Sequence, residues 1–227
     1  MYQPYLAALA DMFYPERCAG CDRRSSDVLC RPCFEALPRV SGPVCERCGL
    51  PTAFATPVCE ECKNVDFGFE SARAALRYEG VGKEVVHALK YRGYRKVAGR
   101  LAAPLMVQSL GDCRFDAVVP VPLHRSRLRK RGFNQAGLLA LGVAQRINAT
   151  VSDTLEVVRS TRDQVELSAA QRRANVAGAY RASGPLRGRV LLIDDVFTTG
   201  ATMSACATTL VRSGAQEVHA LSLCRTV

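Results

Sequence analysis

The sequence predicts an α/β protein with a doubly wound, mainly parallel sheet, preceded by a small cysteine-rich module. Two observations predict this fold class. Apolar runs of strand length alternate with helical segments from Ala72 onward, which is the pattern of successive βα units. Before position 63, eight of the 11 cysteines form four CxxC pairs. We therefore divide the 227 residues into 1–66, an N-terminal helix with the cysteine module, and 67–227, the α/β domain.

The net charge of the chain is +10, a balance that suits anionic ligands, nucleic acid included. Charge alone predicts attraction and identifies no site. Paired cysteines in a chain without a signal peptide are typical of the reducing cytoplasm, so we expect a cytoplasmic protein that keeps these thiols for metal. Apolar stretches such as 136–143 are too short to span a bilayer, so no membrane insertion is expected.

The first elements are an amphipathic helix over 1–14 and two repeats of the pattern CxxC, loop, CxxC. Two CxxC knuckles close a tetrahedral zinc site, which stabilises a segment too small for a core of its own, so zinc is expected as a structural ion. The repeat favours two sequential sites, and a cross-braced pairing of knuckles one with three and two with four stays open. The expected ligands are Cys18, Cys21, Cys30, Cys33, Cys45, Cys48, Cys59 and Cys62. The other cysteines, Cys113, Cys206 and Cys224, are expected to be buried as small apolar residues.

The α/β domain begins with a predicted strand over 72–78 and a predicted helix over 81–91. The stretch 90–96 then brings four cations and two tyrosines together. It is equally compatible with a contact to a polyphosphate or a base and with a solvated helix end. A further helix is predicted over 97–110.

A second apolar strand is predicted over 116–122, and the densest basic run of the chain follows it at 123–131. The apolar spacing of 133–147 predicts a helix, and 155–159 is a further predicted strand. The polar segment 161–180 has no clear apolar period at its start. We expect it to act as a mobile flap.

The rest of the domain is organised around 190–202, which reads VLLIDDVFTTGAT. A buried parallel strand is predicted over 190–193 and a helix over 203–213, with a last strand at 217–224. A phosphate fits the N–H groups at the start of that helix. The carboxylates of Asp194 and Asp195 then suit a polyhydroxylated sugar or a magnesium ion, and both are expected to point into one crevice at the carboxyl end of the strand. The inferred ligand is a sugar phosphate.

This stretch resembles the signature with which type I phosphoribosyltransferases bind 5-phosphoribosyl-1-diphosphate (PRPP). The resemblance implies that Asp194 and Asp195 lie against the ribose as the catalytic acidic pair, and that Mg²⁺ enters with PRPP. The loop after the second strand would contact pyrophosphate, together with Lys90. The PRPP contacts implied in this way are Lys90, Val121, Pro122, Leu123, His124, Arg125, Asp194, Asp195, Thr198, Thr199, Gly200, Ala201 and Thr202.

Nearly the whole chain resembles the ComF family, a double zinc ribbon joined to a phosphoribosyltransferase-like domain. The resemblance rests on the cysteine pairs, on VPVPLHRSRLRKRGFNQA, on RSTRDQVELSAAQRRANVAGAY and on VLLIDDVFTTGAT. It implies a part in natural transformation, in which incoming single-stranded DNA is handled together with a helicase. The alternative is an active phosphoribosyltransferase of nucleobase or nucleotide salvage. No segment of the sequence identifies an acceptor for such an enzyme.

Overall fold

The computed structural model describes residues 17–159, 171, 176 and 178–227, and its centre is a five-stranded parallel sheet. The strands are β1 (Ser71–Arg77), β2 (Ala117–Pro120), β3 (Thr150–Val151), β4 (Leu155–Val157), β5 (Tyr180–Ala182), β6 (Arg189–Phe197) and β7 (Glu217–Arg225). Their order in the sheet is β1-β7-β6-β2-β3, and every neighbouring pair is parallel. A separate antiparallel pair joins β4 to β5.

Helices cover both faces of this sheet, as the fold class predicted. The helices are α1 (Arg31–Glu35), α2 (Glu60–Lys63), α3 (Gly80–Tyr91), α4 (Ala103–Val107), α5 (Arg125–Arg131), α6 (Gln135–Ile147) and α7 (Ala201–Arg212). A π-helical turn at Ala98–Ala102 leads directly into α4. On one face α3, α4 and α6 pack over Leu191, Ile193 and Leu221, and on the other α7 packs over Leu192 and Val218.

The cysteine module extends both of these cores. Cys18 and Ala19 belong to the apolar cluster under α3, α4 and α6, whereas Cys45 and Cys48 belong to the cluster under α7. The two halves of the module therefore pack on opposite sides of the sheet. The predicted boundary between residues 66 and 67 stays a prediction, and the described residues of the two parts pack against each other.

The module also covers the outer edge of β1. Arg77 donates its backbone N–H to Pro38 O at 2.8 Å, and Val40 donates its own to Ala75 O at 3.0 Å. Farther along the strand, Ala72 N donates to Arg47 O at 2.8 Å. Unpaired backbone groups on an edge strand are a template for pairing with another chain, and here the ribbon segments occupy them.

Several predicted elements differ from the structure. The strand predicted over 190–193 runs on to Phe197, because its backbone pairing with β7 continues through Asp194 to Phe197. The strand predicted over 155–159 forms at Leu155–Val157 as β4, which pairs antiparallel with β5 outside the main sheet. The edge strand is the two-residue β3, too short to show an apolar period. The helix predicted over 97–110 is π-helical in its first turn.

Two predictions fall largely outside the described residues, namely the helix over 1–14 and most of the flap over 161–180. The basic run is helical from Arg125 to Arg131. In the ranges that the structure covers, every helix is too short or too polar to cross a bilayer.

Candidate functional site

The predicted acidic pair lies within β6, and its second member forms a buried ion pair. Asp195 is 3% exposed, and Lys90 Nζ lies 2.9 Å from its Oδ1. Lys90 belongs to the last turn of α3, which packs on that face of the sheet. Burial opposes the charge on Lys90, yet the neighbouring Asp195 outweighs this effect and raises the pKa of the ammonium. The ammonium of Lys90 is therefore held in its charged form, and the second oxygen of Asp195, Oδ2, is buried with no hydrogen-bond partner among the described groups.

Asp194 faces the opposite side of the sheet. Its electrostatic neighbours there are Cys206 on α7 and Tyr180 on β5, whereas those of Asp195 are Lys90 and Cys224. Successive residues of a strand point to opposite faces. The expectation that both carboxylates point into one crevice is therefore wrong for this structure.

The environment of Asp194 opposes its ionisation. Burial is the largest cause and the charge of Asp195 the second, and together they raise the pKa of Asp194 to about 7. Lys90 and Arg131 act in the other direction, as does the backbone N–H of Asp195, which donates to Asp194 Oδ1 at 2.8 Å. Asp194 thus changes charge near neutral pH.

The loop after β6 leads into the start of α7 as the sequence predicted. Gly200 is the N-cap residue with a left-handed φ of 73°, and no side-chain hydrogen bond caps the helix there. The Oγ1 of Thr199 is buried without a partner in the described part of the chain. The N–H groups of a first helical turn have no partner within their own helix. An anion can therefore bind at this loop by backbone N–H groups and a hydroxyl.

Gly200 is required by packing as well as by its backbone angle. A Cβ at this position would lie 2.6 Å from Phe197 Cζ and 2.8 Å from Phe67 Cε1. A larger residue at position 200 would therefore disturb the fold itself. Its effect on ligand binding cannot be separated from that damage.

The loop after β2 lies beside the end of β6. Val121 donates its backbone N–H to Ile193 O at 2.8 Å, and its carbonyl accepts from Asn134 Nδ2 at 3.0 Å. His124 then ends the loop as the N-cap of α5, because its Nδ1 accepts from Ser126 N at 3.3 Å. The structure therefore brings the two predicted loops, 121–125 and 198–202, to the same edge of the sheet.

A basic and aromatic surface adjoins that edge. Tyr91 is 68% exposed, and the guanidinium carbon of Arg131 lies 5.3 Å from the centre of its ring. Arg95 stacks on Phe133 at 4.6 Å in the same way. We call α5 together with Tyr91 the basic face, and its cations are Arg125, Arg127, Arg129, Lys130 and Arg131.

The eight module cysteines form two separate tetrads. Cys18, Cys21, Cys30 and Cys33 form one, Cys45, Cys48, Cys59 and Cys62 form the other, and the sulfur atoms within each lie within 4.8 Å of one another. The sequential pairing is confirmed, and the cross-braced pairing is excluded.

The geometry of both tetrads fits a tetrahedral zinc ion. Sγ–Sγ distances of 3.8 Å for Cys21 and Cys30 and 3.7 Å for Cys48 and Cys59 match the separation of about 3.8 Å that follows from a Zn–S bond of about 2.3 Å. Burial raises the pKa of the Cys18 thiol, but backbone N–H groups that donate to its sulfur outweigh burial and lower the pKa to about 6. Four thiolates leave no open position, so the metal is structural.

Tyr180 and Arg225 join the site without any prediction from the sequence. Tyr180 is hydrogen-bonded to Thr202, and burial, followed by the nearby Cys206 and Asp194, raises the pKa of its phenol. Arg225 is 2% exposed, donates to Cys48 O and stacks 5.2 Å from the Phe197 ring centre. The only sequence signal for Arg225 is the position of a cation at the end of the apolar strand β7. Of the cysteines outside the tetrads, Cys206 and Cys224 are buried as predicted, whereas Cys113 is exposed.

Comparisons with known proteins agree with this architecture. Residues 9–63 match a family model described as a double zinc ribbon domain. The DNA utilization protein YhgH of Salmonella typhimurium is 35% identical over 88% of this chain and 91% of its own length. Competence protein F of Haemophilus influenzae is 26% identical over 94% of this chain and 98% of its own.

One solved structure also matches part of the chain. It is a glutamine phosphoribosylpyrophosphate amidotransferase from B. subtilis complexed with ADP and GMP, at 24% identity and a TM-score of 0.38. The match covers 60% of this chain and 27% of that chain, so the fold class rests on the sheet topology described above. Because the identity of 35% to YhgH extends over almost the whole of both chains, competence protein F matches over the same length, and residues 9–63 match the double zinc ribbon, we conclude that this chain belongs to the ComF family.

Proposed function

We propose that this chain binds PRPP with Mg²⁺ at the carboxyl edge of the sheet and acts in natural transformation, where it handles incoming single-stranded DNA. The observation that carries the PRPP proposal is the loop 198–202. There the uncapped start of α7 and the unpartnered hydroxyl of Thr199 lie directly after Asp194 and Asp195. A phosphoribosyl group matches both features. Its phosphate is an anion that fits the loop, and its ribose carries hydroxyls that can donate to a carboxylate.

The two aspartates have different roles in this proposal. Asp194 accepts hydrogen bonds from ribose hydroxyls, since it lies near the carboxyl end of β6 and its carboxylate makes no ion pair at contact distance among the described groups. Asp195 is held by Lys90. If Lys90 turns to the pyrophosphate, the freed Asp195 becomes a second acceptor. Among the described residues, the groups that could hold a metal ion are the two cysteine tetrads. In this proposal Mg²⁺ therefore enters the site already bound to the pyrophosphate of PRPP.

The DNA-handling role rests on the basic face and on the names of the relatives. Arg125, Arg129 and Lys130 are exposed, and Tyr91 offers a ring on which a base can stack. Relatives are named for DNA utilization and for competence, and we extend that role to this chain. Its partner is then a DNA-uptake helicase. We place the role in the cytoplasm, where the zinc-binding thiols stay reduced.

A second candidate is an active phosphoribosyltransferase with an acceptor still to be identified. A cavity that opens beside Thr198 and Thr199 favours it, because an acceptor needs space next to the bound phosphoribosyl group. Consumption of PRPP in the presence of an acceptor would separate this candidate from a protein that only binds PRPP.

Calorimetric titration with PRPP tests the proposal. We expect Mg-dependent binding to the zinc-loaded protein, and Asp194→Asn weakens it about tenfold to a hundredfold, because one hydrogen bond to a charged acceptor contributes about 1.5 to 3 kcal/mol. Asp112→Asn is the matched control, since this exposed aspartate lies before β2 at the opposite edge of the sheet. Wild-type protein without measurable affinity at millimolar PRPP contradicts the proposal.

A further inference from the structure

A serine, a histidine and a glutamate are linked by hydrogen bonds at the amino edge of the sheet. Ser71 begins β1 and lies opposite His219 of β7, and its Oγ is 2.9 Å from His219 Nδ1. Glu217 begins β7 two positions before His219, so both side chains project from the same face of the strand. The Oε2 of Glu217 is 3.3 Å from His219 Nε2. The candidate PRPP site lies at the opposite edge, where these strands end.

These contacts determine which nitrogen of His219 carries the proton. A carboxylate only accepts hydrogen bonds. Arg189 Nε donates to Glu217 Oε2 at 2.7 Å, and this bond, followed by the one from His219, lowers the pKa of Glu217. The neutral imidazole therefore donates from Nε2 to Glu217 and accepts at Nδ1 from the hydroxyl of Ser71. Phe115 packs edge to face on the imidazole at a centroid distance of 5.5 Å.

An open cleft of about 530 Å³ reaches this serine and this histidine. The volume falls in the range of about 300 to 1,000 Å³ that small-molecule sites occupy. Apart from Pro57, the residues that line the cleft are polar or charged. Arg73 is one of them, two residues after Ser71 on the same face of β1, and its Nη1 donates to the carbonyl oxygens of Ala72 and Glu46 at 2.8 Å each. A small polar molecule can therefore reach Ser71 beside a fixed positive charge.

We propose that Ser71, His219 and Glu217 form a hydrolytic site for small polar carboxylic esters. A nucleophile, a base within hydrogen-bond reach and a third group that orients the base together activate a serine, in whatever order they occur along a chain. Ser71 and His219 are the catalytic residues, and Arg73 stabilises the negative charge that develops on the substrate. Glu217 is a positioning residue, because it acts through the imidazole. This site is independent of the proposed PRPP site at the other edge.

The reaction is an acyl transfer to serine followed by hydrolysis, with water as the co-reactant. His219 Nδ1 takes the hydroxyl proton of Ser71 as Oγ attacks the carbonyl carbon of the ester, and the carbonyl oxygen becomes an oxyanion beside Arg73. Collapse breaks the carbon–oxygen bond to the leaving group, which departs as an alcohol with the proton from His219. Water then attacks the acyl-serine ester while the same nitrogen takes its proton. The carboxylic acid leaves, and the proton returns to Ser71 Oγ.

Labelling with a fluorophosphonate probe tests the nucleophile. An activated serine displaces fluoride and forms a stable bond from Oγ to phosphorus, so the zinc-loaded protein should gain one adduct, which tandem mass spectrometry locates at Ser71. Ser71→Ala should abolish this labelling. Ser109→Ala is the matched control and should keep it, since this half-buried serine donates to Leu105 O and not to a histidine. The absence of an adduct on Ser71 at millimolar probe overturns the proposal.

A second pair of variants tests the base. His219→Asn should slow the labelling of Ser71 about a hundredfold or more, because a positioned general base contributes on the order of 10² to 10⁴ in rate. His87→Asn, at a half-buried histidine on α3, should leave the rate unchanged. A folded His219→Asn protein that is labelled as fast as the wild type overturns the proposal.

The role of Glu217 is tested by separating reactivity from probe binding. Glu217→Gln should lower the maximal rate of labelling about tenfold or more, because an amide can hold the wrong tautomer of the imidazole. The probe concentration that gives half of the maximal rate should stay the same, as should the thermal midpoint. An unchanged maximal rate contradicts the proposed site.

Hydrolysis of p-nitrophenyl acetate gives an independent measurement, which decides if His219→Asn does not fold. The wild type should release p-nitrophenol faster than Ser71→Ala, and p-nitrophenyl decanoate should react more slowly than the acetate because the cleft is polar. Equal rates in the wild type and Ser71→Ala overturn the proposal. Binding of PRPP should be the same in both proteins, so a failure of the proposed function and a failure of this site are distinguishable.

Discussion

Asp195 and Lys90 show how one buried ion pair changes what a motif can do. The sequence signature does not distinguish the two aspartates. In the structure Asp195 forms an ion pair with Lys90 at 2.9 Å, whereas Asp194 has no such partner among the described groups. A charge left alone in the interior is costly, because solvation is lost and nothing replaces it. The first prediction follows from this difference.

Asp195→Asn should lower the free energy of unfolding by on the order of 3 kcal/mol, because it leaves the Lys90 ammonium buried without its counter-charge. Asp194→Asn should cost much less, since this carboxylate already resists ionisation. Chemical denaturation of both variants measures the difference. In the double variant Lys90→Met/Asp195→Asn part of the loss should return, and equal losses in the two single variants would refute the ion-pair argument.

Asp194 should make stability depend on pH. Burial first, and then the charge of Asp195, raises the pKa of its carboxyl in the folded state to about 7, whereas an aspartate in an unfolded chain titrates near pH ~3.9. A raised folded-state pKa stabilises the fold below the unfolded pKa, and that contribution is lost as the pH rises through about 7. The wild type should therefore lose stability relative to Asp194→Asn between about pH 4 and about pH 7, by at most roughly 1.4 kcal/mol for each pH unit that separates the folded and unfolded pKa values.

Denaturant midpoints of the wild type and Asp194→Asn, taken across that pH range, provide the measurement. Asp112→Asn, at an exposed position, controls for the loss of one negative charge. If stability changes with pH in the same way in the wild type and in Asp194→Asn, folding does not raise the pKa of Asp194 and the prediction is wrong.

At the scale of elements, α5 is where charge and secondary structure coincide. Its last turn holds Arg129, Lys130 and Arg131, which suit the negative end of the helix dipole. Arg131 is further engaged, since it donates to Gln135 and stacks on Tyr91. The exposed cations Arg125, Arg129 and Lys130 are therefore the ones to test for a contact to DNA.

Changing Arg125, Arg129 and Lys130 to Gln should weaken the binding of single-stranded DNA and lower the magnitude of its log–log salt slope by about 0.7 for each phosphate that the variant no longer neutralises. Fluorescence anisotropy over a salt series measures both effects. The matched control changes Arg114, Arg187 and Arg212, three exposed cations near the opposite edge of the sheet. An unchanged affinity and slope in the α5 variant would show that α5 is only a solvated helix.

The sequence predicted the elements whose signal is local and failed where a distant partner decides. The four aliphatic residues at 190–193 identify a buried strand without help from the rest of the chain. The extension of that strand through Asp194 to Phe197 depends on continued pairing with β7, which no local pattern in 190–197 announces. The same limit applies to β4, whose alternation predicts a strand but not its antiparallel partner β5.

For the candidate site, the sequence predicted the residue types and missed the arrangement. The cysteine spacing identified all eight ligands because a CxxC turn is a local structure. The cavity beside Thr199 is lined by the second ribbon and by the loop after β6, which are far apart in sequence. No single stretch of sequence could therefore predict it. The opposite orientations of Asp194 and Asp195 follow from strand geometry, which the predicted strand end at 193 concealed.

At the scale of the molecule, the ribbons and the sheet share their cores. Cys18 lies in one apolar cluster with Leu89 and Leu139, and Cys45 lies in the other with Phe197 and Leu210. Loss of either metal therefore removes packing from the α/β domain as well. Separate unfolding of residues 1–66 is not expected.

Purified protein should carry two zinc ions per chain, and Cys18→Ser or Cys45→Ser should lower the midpoint of a single thermal transition. Calorimetry with a zinc assay measures both quantities. Cys113→Ser, at an exposed cysteine outside the tetrads, should leave both unchanged. Two resolved transitions in the tetrad variants would instead establish an independent module, and one zinc ion per chain would remove one of the two tetrads from metal binding.

Because the ribbon segments lie along β1, zinc also matters for newly synthesised chains. Residues 38–40 and Arg47 hydrogen-bond to the outer side of that strand, and the metal sites hold these segments in shape. A chain made during zinc starvation would present a bare strand edge, to which strands of other chains can add. Metal supply would then decide how many newly made molecules survive proteolysis and aggregation, and the cellular amount of this protein would follow the zinc status of the cell.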